Sequence, residues 1–297
     1  MGKVGAFRSL QAEREYFDAY DAVVSKSPVT VEQSTVVTPF GDTHIMSAGD
    51  AEHPVLVALH GKALSSTMWL SYLPVLAETH RVYLIDTVGD MNKSVATTVM
   101  ATRADVVRWI DSVLYGLRVT QAAFVGHSYG AWMATTYAIA RPERVERLGL
   151  LCPAAVFARL RPAWIASAVY ARRIRPRTET ARRFISTSYM PTTGARLHEC
   201  DFGRVVDQYV VGVPRFRGSM RDARPCTYGF DALASLTMPV LVIIGADETV
   251  CDGPRSAQIA RQRLPRARVE LVPDANHCIF GDQPAVIDSL LRDFLSV

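Results

Sequence analysis

The chain has 297 residues, 49% of them apolar, which is enough for one large core or two small ones. Its formal net charge of +4 is too small to argue for nucleic acid. The longest apolar run, 148–157, is too short to span a bilayer, so no integral membrane segment is expected. Five cysteines, an odd number with no CxxC pair, favour free thiols in a reducing compartment, and the histidines show no zinc spacing. No apolar secretory stretch is visible near residue 1, so the expectation is a cytoplasmic protein that needs neither metal nor organic cofactor.

In chain order, Leu10, Phe17, Tyr20 and Val24 recur at near-helical spacing and predict a helix over 10–24. Residues 34–38 and 43–48 flank a Pro-Phe-Gly-Asp turn and predict an antiparallel strand pair. The rhythm then changes. Short apolar runs at 55–59, 81–85, 121–125 and 145–151 alternate with helical stretches to about 77, at 101–117 and at 128–140. Strands alternating with helices give right-handed crossovers and a parallel sheet covered on both faces. The alternation breaks at about 154 and resumes at 239–245, followed by a helix at 254–264, a strand at 268–272 and a last helix at 284–296. One sheet domain, residues 1–153 and 236–297, is therefore expected to carry an inserted segment, 154–235.

Residues 126–130 read Gly-His-Ser-Tyr-Gly, with a strand run before them and a helix after them. A sharp strand-to-helix turn at this point pushes the Ser128 hydroxyl out at the carboxyl end of the sheet. A serine hydroxyl is a poor nucleophile until a base takes its proton. His277, between the last predicted strand and the last helix, is the candidate base. It needs a carboxylate to fix its tautomer. The loop after strand 239–245 offers Asp247, Glu248 and Asp252, and the chain order serine, acid, histidine fits this type of sheet. After strand 55–59 comes Leu-His-Gly-Lys, a turn that would aim the Lys62 backbone N–H at an oxyanion, with the Tyr129 N–H as second donor.

Together LHGK, GHSYG, GADET and NHCIF resemble the α/β-hydrolase superfamily across nearly the whole chain outside the insertion. The resemblance implies an α/β fold: a mostly parallel eight-stranded sheet flanked by helices, with a helical cap over the site. It also implies an acid three residues after Gly245, which is Glu248; Asp247 is the alternative. The loop Asp86-Thr-Val-Gly-Asp-Met-Asn-Lys-Ser94 lacks the second glycine common in the family. Serine rather than aspartate at position 128 argues against epoxide and haloalkane chemistry. The expected activity is cleavage of an ester-like bond through an acyl-enzyme, of carboxylesterase, thioesterase or lactonase type. The alternatives are acyl transfer, lyase or cyclase chemistry on the same residues, or a binding protein that retains them.

Residues 157–225 contain 14 arginines, no lysine and five acids, a formal +9 in a chain of +4. One reading is a small-molecule acyl substrate that is anionic or carrier-bound, since arginine forks suit carboxylates and phosphates. The other is a solvated cap surface. Aromatic residues from Trp164 to Phe216 either line an acyl pocket or pack the cap's own helices.

Overall fold

A computed structural model of the protein describes residues 4–190 and 202–296. Cys200, and the charged residues Arg196, Glu199 and Asp201 of the arginine-rich stretch, lie outside the described residues.

Eleven strands are present among the described residues: β1 (Ala6–Phe7), β2 (Glu32–Thr38), β3 (Gly41–Ala48), β4 (Val55–Leu59), β5 (Arg81–Ile85), β6 (Val95–Ala96), β7 (Ala122–His127), β8 (Val145–Leu151), β9 (Phe216–Arg217), β10 (Val240–Gly245) and β11 (Arg268–Val272). Eight of them form one sheet in the order β11-β10-β8-β7-β4-β5-β3-β2. Only β3 runs against its neighbours, so the sheet is mostly parallel, as expected. The two-residue strand β6 adds a ninth member by pairing with Gly41 and Asp42 of β3. It is too short to have a sequence period.

The apolar runs form strands because both faces of the sheet are covered. Along β4, Leu56 and Ala58 enter one buried layer while Val57 and Leu59 enter the other. Along β10, Leu241 and Ile243 divide from Val242 and Ile244 in the same way. Alternate side chains of a strand point to opposite faces, so an unbroken apolar run is what two layers require. Helices Arg103–Gly116 and Tyr129–Ala140 cover one face. The first begins with a reciprocal cap, in which the Thr102 hydroxyl accepts from Asp105 N–H and the Asp105 carboxylate accepts from Thr102 N–H.

Three local expectations are corrected. The helix Leu10–Val24 buries Tyr16, Tyr20 and Val23, while Leu10 is 72% exposed. The stretch before Ala77 is a 3₁₀ helix, Ser66–Tyr72, with only the short α-helix Leu73–Leu76 after it. The turn between β2 and β3 is tighter than expected, since Gly41 and Asp42 already belong to β3. Gly41 sits at φ +125°, and a side chain there would strike the carbonyl of Val95.

Tyr16 and Tyr20 explain how the first helix attaches. Tyr16 donates to the Met91 carbonyl and accepts from Gln208. Tyr20 donates to Asp86 at 3.0 Å. Asp86 is fully buried and also accepts from Ser66 N–H at 2.8 Å, the His44 Nδ1 at 3.0 Å and Lys93 N–H at 3.2 Å. Asp86 thus organises the loop that lacks the family's second glycine.

Between β8 and β10 the described residues contain helices Pro162–Val169, Thr178–Ser186, Phe202–Gly212 and Phe230–Ala234. Strand β9 in this stretch pairs with β1, so the chain start is stitched to the insertion. Phe184, Tyr189, Phe202 and Tyr209 are buried and join the layer that contains Trp69 and Phe280. All four pack in the interior, and Phe184 also lines a cavity of about 760 Å³ with Tyr170.

Burial opposes the Asp86 charge, but the hydrogen bond and charge of His44 outweigh it and hold the carboxyl below its ordinary 3.8. Because the folded value is depressed, this contribution to stability is complete above the ordinary value and is lost as pH falls through the lower folded one. Asp86→Asn should lower the urea unfolding free energy by about 3 kcal/mol at pH 7, with a smaller difference from the parent near pH 3. Paired urea titrations at the two pH values check this.

Candidate active site

Strand β7 turns into helix Tyr129–Ala140 at Ser128, whose backbone sits at φ +53°, ψ −112°. A non-glycine residue in that region is strained and needs its surroundings to hold it. Ser128 N–H donates to the Leu151 carbonyl at 2.9 Å, and the Ser128 carbonyl accepts from Trp132 and Ala154 at 3.1 Å each. The flanking glycines are required by space. A Cβ on Gly130 would lie 2.2 Å from the Leu59 carbonyl oxygen, and one on Gly126 would meet the backbone of Gly130 and Ala131 at 2.6 Å.

His277 lies in the loop after β11. Its Nε2 is 2.9 Å from Ser128 Oγ and its Nδ1 is 2.7 Å from Glu248 Oε2. All three side chains are buried. The structure brings Glu248, not Asp247, to His277. Asp247 is exposed, and its N–H donates to the Ala275 carbonyl. The second Glu248 oxygen accepts Val250 N–H at 2.7 Å. An ionised carboxylate can only accept, so Nδ1 carries the proton and Nε2 presents a lone pair to the serine hydroxyl.

Sequence reasoning missed Asn276. Its Oδ1 accepts His277 N–H at 2.7 Å and both the N–H and hydroxyl of Thr249 at 3.0 Å. Its Nδ2 donates to the carbonyls of Thr187 and Tyr189. Cys278 N–H donates to the Ser188 carbonyl at 2.8 Å. His277 is thus tied to the loop that carries Glu248 and to the end of helix Thr178–Ser186. In the sequence Asn276 is only one more turn-forming residue beside a histidine.

On the opposite side lies the turn after β4. The Gly61 carbonyl accepts from His60 Nδ1 at 2.8 Å and from Leu64 N–H at 3.1 Å. His60 Nε2 accepts Thr87 N–H at 2.9 Å, which fixes this ring's tautomer. With the carbonyl of the Gly61–Lys62 peptide held, its N–H points the other way. A Cβ on Gly61 would approach Ser128 Cβ to 3.4 Å, so this peptide lies against the serine. Among the described residues neither Lys62 N–H nor Tyr129 N–H has an acceptor. The Lys62 side chain turns away, 2.8 Å from Asp222 and 3.7 Å from Asp90, with its ammonium 5.1 Å over the Tyr129 ring. Burial works against its charge, but the two acids hold its pKa above the ordinary lysine value.

His127, inside the turn, is held neutral. Burial, reinforced by neighbouring His277, pushes its pKa down to about 3. Its Nε2 faces the His277 carbonyl at 3.0 Å and therefore donates.

Cys152, Glu248 and His277 have ligand-type atoms within 4.8 Å of one another. The Glu248–His277 contact is only 2.7 Å. Two ligands on one tetrahedral zinc, with bonds near 2.0–2.1 Å, stand roughly 3.3 Å apart. The spacing fits a hydrogen bond better than a metal. Burial, with Glu248 beside it, pushes the Cys152 thiol well above its ordinary value, so it stays protonated. Cys251 is likewise raised to about 11, mainly by burial.

A family model described as the alpha/beta hydrolase fold matches residues 54–284, and the chain belongs to that family. It is 28% identical over 295 residues to carboxylesterase YbfK of Bacillus subtilis, covering 97% of this chain and 96% of that one. It is also 28% identical over 289 residues to an uncharacterized carboxylesterase, nap, of the same organism, covering 95% and 92%. Among solved structures, naproxen esterase (carboxylesterase NP) from Bacillus subtilis superposes with a TM-score of 0.88 at 26% identity, covering 97% of this chain and 99% of that one. No helix among the described residues is long and apolar enough to cross a membrane.

The Glu248–His277 contact predicts a strongly deshielded Nδ1 proton in the proton NMR spectrum. Asp247→Ala should retain that resonance and Glu248→Ala should abolish it. The reverse pattern would place Asp247 on the base.

Proposed function

We propose that this protein is a serine carboxylesterase that works through an acyl-enzyme on Ser128, His277 and Glu248. One observation carries the reading: an unbroken hydrogen-bond chain from Ser128 Oγ through His277 to Glu248, set beside two unengaged backbone amides. Similarity to carboxylesterases over nearly the full length supports ester substrates.

The ester carbonyl enters between Ser128 and the amides of Lys62 and Tyr129. As the hydroxyl attacks, His277 Nε2 takes its proton, and the Glu248 carboxylate stabilises the imidazolium. Negative charge gathers on the carbonyl oxygen, where two amides and the start of helix Tyr129–Ala140 oppose it. Each amide is worth ~3–4 kcal/mol in the transition state. His277 then gives its proton to the leaving alcohol. Water, activated by the same nitrogen, attacks the acyl-enzyme and frees Ser128. No metal or cofactor is needed for these steps. His127, neutral beside His277, adds no positive charge that would oppose the imidazolium.

Residues 154–235 act in this reading as a lid domain on a core made of residues 1–153 and 236–297. The cysteines among the described residues are free, which supports a reducing compartment such as the cytoplasm.

A fluorophosphonate probe should label Ser128, and the enzyme should turn over p-nitrophenyl acetate and butyrate. Ser128→Ala should abolish labelling and lower kcat by at least about 10⁴-fold. Failure of the parent protein to be labelled or to hydrolyse either ester would refute the reading.

A further inference from the structure

A cavity of about 70 Å³ opens beside Lys62, bounded by Lys62, Asp90, Asp222, Arg172 and Arg173 with Met91 as apolar wall. Its charges are unevenly engaged. Asp222 is committed to the Lys62 ammonium, and Asp90 to the same ammonium and to the N–H groups of Ala63 and Met91. Among the described residues the arginines have no such partner, and Arg173 donates to neutral carbonyls, those of Gly218 at 2.7 Å and Ser219 at 2.9 Å. Arg172 lies over the rings of Phe184 and Tyr209, at 5.2 and 6.0 Å, and its Nε is 3.4 Å from the Tyr209 hydroxyl. Among the described residues its two terminal nitrogens have no acceptor, and neither arginine forms an ion pair. Burial and the nearby Arg172, Arg217 and Arg8, against the pull of Asp222, press the Arg173 pKa below its ordinary value. Two guanidinium groups are thus gathered here with no ion-pair partner of their own among the described residues.

The cavity adjoins the turn after β4: the Lys62 side chain forms part of its wall, and Gly61, one residue earlier, packs against Ser128.

We propose that this cavity is an anion subsite, in which Arg172 and Arg173 bind a carboxylate at the far end of the substrate's acyl chain. The inference rests on the esterase reading above and names a substrate class for it: half-esters of short dicarboxylic acids. The space suits a carboxylate and excludes a bulky headgroup. The ring-stacked Arg172 is pre-oriented, so its terminal N–H groups meet a planar anion with little further ordering. Lys62 keeps Asp90 and Asp222 occupied, which prevents them from repelling the ligand.

The test compares p-nitrophenyl hydrogen glutarate with its neutral methyl ester. The parent enzyme should favour the anionic ester by about tenfold or more in kcat/KM, mainly through KM, as expected for a hydrogen-bonded charged subsite. The preference should shrink as salt is raised. Arg172→Gln and Arg173→Gln should each pull the ratio towards one, and Arg172→Lys should restore part of it. Removing the same charge at exposed Arg182, which pairs with Asp207, should leave the ratio at the parent value. Fluorophosphonate labelling of Ser128 and thermal melting confirm that each variant is folded. Equal turnover of the two esters by the parent, a preference that survives both glutamine variants, or an equal drop with Arg182→Gln would overturn the subsite. Failure of the parent to hydrolyse either ester would instead overturn the esterase reading itself.

Discussion

The proposed site depends on one imidazole that bridges two side chains. In the proposed mechanism His277 Nδ1 holds a proton against Glu248, and Nε2 is bare towards Ser128. A ring free to rotate would satisfy neither contact for long. Here the ring is fixed through its backbone, because Asn276 grips the His277 N–H while its amide donates to Thr187 and Tyr189. The Cys278 N–H adds a bond to Ser188 from the other side. The segment after β8 therefore helps set the geometry of the base as well as covering the sheet. Phe280 extends the same connection by packing, lying 5.2 Å from the His127 ring and 6.0 Å from Phe202.

The parallel sheet explains why residues so distant in sequence meet. β4, β7, β10 and β11 run the same way, so the turns that follow them emerge along one edge. Lys62, Ser128, Glu248 and His277 belong to those four turns. Ligands of open α/β sheets bind at the carboxyl ends of strands for this reason. The turn after β4 is as constrained as His277. His60 holds the Gly61 carbonyl, so the amide of the same peptide points to the other side, and Lys62 anchors that turn to Asp90 and Asp222. Breaking that link would leave a carboxylate in a poorly solvated place, a larger penalty than loss of a surface pair.

Much of this was legible because it rests on patterns with a physical period or a steric rule. Strands β4 and β10 announce themselves because burial on both faces demands unbroken apolar runs. The turn at Ser128 announces itself because only glycine fits at Gly126 and Gly130. What stayed hidden was decided by polar partners far away in sequence. Spacing on the first helix pointed to Leu10, Phe17, Tyr20 and Val24, yet Leu10 is exposed and the buried face also carries Tyr16, whose hydroxyl finds Met91 and Gln208. Apolar periodicity does not register a tyrosine that is buried for its hydroxyl. The choice of Glu248 over Asp247 rests on the spacing from Gly245 that the family resemblance implies, not on a polar signal in the loop itself. The fold supplies the reason: Asp247 N–H is drawn to Ala275, and the longer Glu248 side chain then reaches inward to His277. Asn276 was invisible because, besides neighbouring His277, its side-chain partners Thr249, Thr187 and Tyr189 come from segments that sequence does not show to be adjacent.

The arginine-rich stretch shows the limit of counting charge. A formal +9 over residues 157–225 fits either recognition of an anionic substrate or a solvated surface. In the fold the charge is divided by context. Arg182 pairs with Asp207 at the surface, and Arg215 pairs with Glu15 of the first helix, so those cations hold structure or face solvent. Arg172 and Arg173 differ in kind, because aromatic rings and carbonyls hold them in place without cancelling their charge. A cation supported in this way keeps its field directed at whatever enters the neighbouring cavity, whereas a paired cation does not. Position relative to an acceptor, rather than the total, decides which of fourteen similar side chains is available to a substrate. The same rule operates at Lys62, whose ammonium stands beside two acids and which, in the proposed mechanism, contributes its backbone amide.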